Sequence, residues 1–103
     1  MRRVFLLRYK TKPEYAAENA RLVRDVFDEL HQAQPAGIRY STFTLGDRLT
    51  FINVVVTETS AGLGPLGALD AYKRIQRNKY DRFDEPPEAT ELHELGSYRI
   101  FDG

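Results

Sequence analysis

Between Ile38 and Thr57 the chain reads IRYSTFTLGDRLTFINVVVT, two arms whose side chains alternate with the period of two that marks strands. The arms meet at Gly46-Asp47, a pair suited to a tight two-residue turn. Pairing outward from that turn sets Leu45 opposite Arg48, Thr44 opposite Leu49, Thr42 opposite Phe51 and Tyr40 opposite Asn53. One face of the hairpin then carries Ile38, Tyr40, Thr42, Leu49, Phe51, Asn53 and Val55, and the other Phe43, Leu45, Ile52, Val54 and Val56. Both faces are apolar. A small antiparallel sheet covers one face with its own helices and leaves the other polar, so the second apolar face predicts a second copy of the chain as its cover.

The flanking segments complete the pattern. Residues 3–10, RVFLLRYK, are apolar on both sides and predict a central strand. Thr11 and Glu14 match the T-x-x-E capping box, with Pro13 in the first turn. Beyond them Ala16, Ala20, Val23, Phe27 and Leu30 recur at helical steps, and Leu22 and Val26 widen the stripe. Arg21 with Asp25 and Arg24 with Asp28 are expected as i,i+4 pairs on the wet side. The helix is expected to stop at Gln34-Pro35-Ala36-Gly37. After the hairpin, TSAGLGPLG reads as a flexible link to a second helix from about Leu66 to Phe83, ended by Asp84-Glu85-Pro86-Pro87. The tail, ATELHELGSYRIF, reads as a strand broken by Gly96; a short helix from Pro87 to Leu95 with Gly96 as its cap is the alternative. The order strand, helix, strand, strand, helix, strand predicts a single α+β domain over residues 1–103. Its fold is the ferredoxin-like β-α-β-β-α-β antiparallel sheet with two helices on one face.

Composition narrows the function. At 103 residues and 42% apolar, one domain can bury roughly two-thirds of its surface without staples. Fifteen basic residues balance fifteen acidic ones, so no overall field favours nucleic acid or anionic lipid. The absence of cysteine excludes disulfides, thiolate metal sites and cysteine nucleophiles. The apolar run in MRRVFLLRYK is too short for a signal-peptide core or a membrane span, which predicts a cytoplasmic protein with no membrane partner. Gly62-x-Gly64-x-x-Gly67 matches the dinucleotide fingerprint as a string. That fingerprint needs a parallel unit and an uninterrupted loop, however, and here a mobile lid at a pocket mouth fits better. Lys73, Arg74, Arg77, Lys79 and Arg82 read as a solvated basic face, without the interleaved aromatics of a nucleic-acid platform.

The candidate chemistry sits in the hairpin. Tyr40 opposite Asn53, with Phe51 and other apolar neighbours on the same face, is costly to bury unless the two groups bond each other, a backbone group, water or a ligand. The functional reading is a pocket between sheet and helices in which Tyr40 and Asn53 orient a polar group of an apolar ligand, Tyr72 forming one wall. His93 is the histidine placed to act as a general base, although Glu91 and Glu94 beside it equally mark an exposed edge strand. His31, in the last turn of the first helix, serves the helix dipole. No histidine or carboxylate spacing suggests a metal site. Arg8, a charge inside the first strand, is expected to snorkel to the strand's end or pair with a carboxylate of a second copy or, if it lines the pocket, to bind an enolate or phenolate oxygen.

The opening strand running into a K-P-E helix start, the P-A-G-I-R-Y lead into the hairpin and the closing E-P-P, T-E-L and G-S-Y-R-I-F together resemble the antibiotic-biosynthesis-monooxygenase-like family of the dimeric α+β barrel superfamily. The resemblance spans nearly the whole chain. It implies a homodimer in which two sheets pack face to face, and a cofactor-free oxygenase in which a substrate enolate or phenolate passes an electron to dioxygen. On that implication Tyr40 and Asn53 contact the substrate oxygen, His93 is the base, and no cofactor is needed. The substrate class is then a phenolic or polyketide-like metabolite. The chain has no tryptophan, where oxygenases and haem degraders of the family use one, which weighs against both enzymatic readings and most heavily against haem. The same resemblance accommodates a non-catalytic dimeric binding or accessory protein, or a small isomerase or cyclase.

Overall fold

In the computed structural model, which describes residues 2–58 and 64–100, the strands are β1 (Arg3–Thr11), β2 (Ile38–Thr44), β3 (Thr50–Thr57) and β4 (Phe83–Leu92). They form one antiparallel sheet in the order β2-β3-β1-β4. That order is the ferredoxin-like arrangement the sequence predicts, with β1 central because both of its faces are apolar. Helix α1 (Ala16–Ala33) follows β1, and α2 (Asp70–Gln76) and α3 (Lys79–Arg82) lie between β3 and β4. The core forms where Val26 of α1 meets Leu66, Leu69 and Ala71, with Ile38, Tyr40 and Tyr72 packed against them.

The hairpin differs from its expected register. Thr44 stands opposite Phe51, Thr42 opposite Asn53 and Tyr40 opposite Val55, a slip of two residues. The expected Gly46-Asp47 turn is replaced by a longer loop in which the Leu45 N–H donates to the Thr50 carbonyl at 3.0 Å. Asp47 builds that loop: its carboxylate accepts from the backbone N–H groups of Leu49 and Thr50 at 2.9 and 3.0 Å and from the Thr50 hydroxyl at 2.8 Å. Asp side chains favour such local bonds over a two-residue turn. Because the side-chain period is two, a slip of two leaves every residue on its expected face and changes only its partner.

The expected capping box does not form. β1 runs to Thr11, whose hydroxyl donates to the Leu49 carbonyl at 3.1 Å, and Pro13–Tyr15 make a 3₁₀ turn before α1. Arg21 approaches Glu18 at 3.9 Å rather than the expected Asp25. Helix α1 closes as the sequence predicts, with Gln34 left-handed at φ 47° and Gly37 at φ 82°.

The single second helix is corrected to a 3₁₀ turn and two short helices. Arg77 is extended and Asn78 left-handed at φ 53°, which separates α2 from α3. The prolines do not end a helix. They lie inside β4, which begins at Phe83 and excludes both the helix from Pro87 and a strand through Gly96. Proline is tolerated there because β4 is an edge strand. Arg8 pairs with Glu88 and Lys10 with Glu85, so Pro86 and Pro87 together oppose Tyr9 as a bulge. Of the mobile lid expected at Gly62-x-Gly64-x-x-Gly67, Gly62 lies outside the described residues, and the remainder is corrected to a 3₁₀ turn, Gly64–Ala68, anchored by Leu66, which is fully buried in the core.

Alternation divides the sheet into two faces. Tyr9, Phe51, Asn53 and Val55 are buried beneath the helices. Val4, Leu6, Ile52, Val54 and Val56, on the opposite face, are only half-buried, and Phe43 stands 41% exposed. No described helix is long and apolar enough to cross a membrane.

Candidate functional site

Under the helices a row of polar groups interrupts the apolar layer. Tyr40 points from β2 toward α1, its ring stacked on Phe27 at 5.2 Å. Thr42, the next residue on that face, donates its hydroxyl to Asn53 Oδ1 at 2.9 Å, and Asn53 is 6% exposed. The expected Tyr40–Asn53 pair is therefore corrected to Tyr40–Thr42–Asn53, the threonine standing between them. Tyr72 of α2 is half-buried above the row and packs on the same core cluster. Burial pushes the Tyr40 phenol well above its ordinary range, the hydrogen bond with Thr42 only partly offsetting it, and the nearby hydroxyls of Tyr72 and Tyr9 push it further. Burial raises Tyr72 as well. At neutral pH these phenols carry their protons, so they can donate a hydrogen bond to a ligand oxygen; a buried neutral phenol makes a poor base.

A second buried network lies beside the first. Tyr9 is sandwiched between Phe51, ring centroids 5.3 Å apart, and Phe83 at 4.4 Å. Asn19, fully buried on α1, donates to the Tyr9 hydroxyl at 2.9 Å and accepts from Arg82 Nε at 3.3 Å. Arg82 is 5% exposed, which corrects its assignment to a solvated face. Its guanidinium also donates to the carbonyls of Arg77 at 2.8 Å and Ile75 at 2.5 Å. A guanidinium meets the free carbonyls at a helix C-terminus favourably, since the backbone dipole is negative there. Tyr9 is pushed up to about 12, chiefly by burial, against the lowering effects of Asn19 and the Arg82 charge.

The other expected site residues are dispersed. Phe51 is on the Tyr40 face but 2% exposed and held against Tyr9. Arg8 lies on the opposite face, exposed, where with Tyr9, Glu85, Pro86 and Glu88 it lines a cleft of about 260 Å³ at the bulge. His93 follows the last residue of β4 and is exposed. By register Asn53 faces Leu7 and Leu7 faces Ala89. Backbone positions 93 and 53 are thus separated by about 13 Å along the strand and about 10 Å across two strand spacings. Within one chain His93 does not join the tyrosines. Among the described residues no group of three His, Cys, Asp or Glu could hold a metal ion.

Asn19 and Arg82 were not anticipated as a site. Asn19 had a legible signal, since it occupies the apolar stripe between Ala16 and Val23, where a polar side chain demands a buried partner. Arg82 had none, because the interruption at Asn78 that turns it inward is set by packing.

This arrangement of sheet and helices is shared with solved proteins. The Rv0793 protein of Mycobacterium tuberculosis superposes with a TM-score of 0.76 at 13% identity, covering 94% of this chain and 98% of that one. A candidate antibiotic biosynthesis monooxygenase of Nitrosomonas europaea gives 0.75 at 14% identity, with 91% and 90% covered. An antibiotic biosynthesis monooxygenase gives 0.74 at 16% identity, with 93% and 100% covered. The fold is therefore that of the antibiotic-biosynthesis-monooxygenase-like proteins. No family model matches the sequence, and no curated protein matches it.

Proposed function

We propose that this chain binds a phenolic or polyketide-like small molecule against Tyr40, Tyr72 and Asn53 and acts on it as a cofactor-independent monooxygenase. The observation that carries the reading is the row Tyr40–Thr42–Asn53, set beneath Tyr72 in an otherwise apolar layer. Protonated phenols held there donate to a phenolate or enolate oxygen while apolar walls exclude water. The names borne by two of the structural neighbours support an oxygenase over other chemistries. The working unit in this proposal is a homodimer closed through the face of Val4, Leu6, Ile52, Val54 and Val56, with Arg8 meeting a carboxylate of the second copy. Phe51 forms the floor of the pocket, and His93 is the proposed base.

The exposed position of His93 favours a second reading, a non-catalytic dimeric small-ligand-binding or accessory protein using the same pocket. Oxygen uptake measured with a panel of phenolic and polyketide-like compounds separates the two. The oxygenase reading expects uptake that falls at least about tenfold in kcat/KM with Tyr40→Phe, and a loss of rate without loss of affinity with His93→Ala. Saturable binding without oxygen uptake selects the accessory reading. Binding indifferent to both Tyr40→Phe and Asn53→Ala sinks the pocket itself.

A further inference from the structure

Helix α2 is held at its two ends by side chains from elsewhere in the fold, and the two holds are unequal. It has seven residues, too few to be stable alone, and its N-cap, Leu69, offers no side-chain cap. Glu29 of α1 takes that role: its carboxylate accepts from the Ala71 N–H at 2.7 Å and the Asp70 N–H at 3.2 Å. At the other end Arg82, itself anchored to Asn19, holds the carbonyls of Ile75 and Arg77. The C-terminal hold is a buried side chain that makes two bonds to the helix end and is itself anchored by a third, to Asn19. The N-terminal hold is one partly exposed carboxylate.

We propose that α2 is a gate over the tyrosine row, with Glu29 as its latch and Arg77-Asn78 as its hinge. Arg77 is already extended and Asn78 left-handed, so the helix can pivot there without breaking a regular turn. Charge at the seam favours release. Asp70 faces Asp25, Asp28 and Glu29 across a groove of about 420 Å³ also lined by Gln32, with Arg74 as its cation. These like charges repel, and the hydrogen bonds to Glu29 hold the end down against them. Lifting the Asp70 end withdraws Leu69, Ala71 and Tyr72 from Val26 and Tyr40, with which they share the core cluster. That motion opens a path to Tyr40 and Asn53 while Arg82 keeps the far end in place.

That a ligand uses this path rests on the binding reading above; the latch is measured without any ligand. Hydrogen exchange over residues 70–76 of the full chain reads it directly, and acrylamide quenching reads tyrosine access, since no tryptophan obscures tyrosine emission. Glu29→Ala should speed exchange of the 70–76 amides at least about tenfold and increase quenching, with β1 and β3 unchanged. Glu29→Gln should fall between it and the wild type, because the amide oxygen still accepts, and it serves in place of Glu29→Ala if that variant does not fold. Asp70→Asn, which relieves the repulsion, should slow exchange in the same segment. Unchanged exchange in both Glu29 variants overturns the proposal, as does an equal rise across β1 and β3, which would mark general destabilisation. Loss of the latch effect with ligand binding intact refutes the gate alone, and a working latch without binding refutes only the ligand reading.

Discussion

Replacing Asn19 by leucine tests how far one buried amide holds the two halves of the structure together. The change keeps the number and branching of the side-chain heavy atoms and removes two hydrogen bonds, one to the Tyr9 hydroxyl at 2.9 Å and one from Arg82 Nε at 3.3 Å. A neutral bond contributes about 1 kcal/mol and one to a charged group about 1.5–3 kcal/mol. Both orphaned groups stay buried, so the expected loss is about 3–4 kcal/mol. A chain of this length has about 5–15 kcal/mol of stability in all, so the variant should fold with a much lower urea midpoint and an unchanged m-value. Asn19→Asp should lose less at neutral pH, since its carboxylate faces the Arg82 guanidinium and can accept from the Tyr9 hydroxyl. A double-mutant cycle between Asn19→Leu and Tyr9→Phe should show coupling of about 0.5–1.5 kcal/mol. A loss below about 1 kcal/mol, or strict additivity in the cycle, would refute the network.

Other expectations follow from the same geometry. Tyr9 is raised to about 12 from an ordinary value of 10.0, so the unfolded chain gives up its proton first and stability falls as pH rises from about 10 to about 12. At about 1.36 kcal/mol per unit the loss is about 3 kcal/mol; denaturation midpoints across that range should fall, and Tyr9→Phe should flatten the fall. Asp47 is held below its ordinary 3.8 by the Thr50 and Leu49 backbone N–H groups. Its contribution is present above that value and lost as pH falls through the lower folded value, so Asp47→Asn should lower thermal stability at pH 7, and by progressively less as pH falls below 3.8. Val54→Lys places a charge in the centre of the bare sheet face; sedimentation should show a dimer for the wild type and a folded monomer for the variant. A monomeric wild type at micromolar concentration would remove the case for dimerisation.

Hydrophobic alternation was enough to read the order of elements, the two faces of the hairpin and the central place of β1, because those follow from side-chain period and from which surfaces must leave water. It also read α1 and its stop, where the stripe and Gln34-Pro35-Ala36-Gly37 agree. The partners of individual residues were a different matter. Tyr40 faces Val55 and Asn53 faces Thr42 because Asp47 chose a longer loop, a competition between local hydrogen bonds that side-chain period cannot register. Pro86 and Pro87 resemble a helix stop in a linear string, and become strand residues only once β4 is known to be an edge with a bulge opposite Tyr9. The candidate site divides along the same line. That Tyr40, Phe51 and Asn53 share one face was legible from alternation, whereas which of the two apolar faces lies beneath the helices, the inward turn of Arg82, its meeting with Asn19, and the separation of His93 from the tyrosines depend on packing between segments far apart in the chain. Local pattern determines which side of an element seeks the core; only the folded chain decides which atoms meet there.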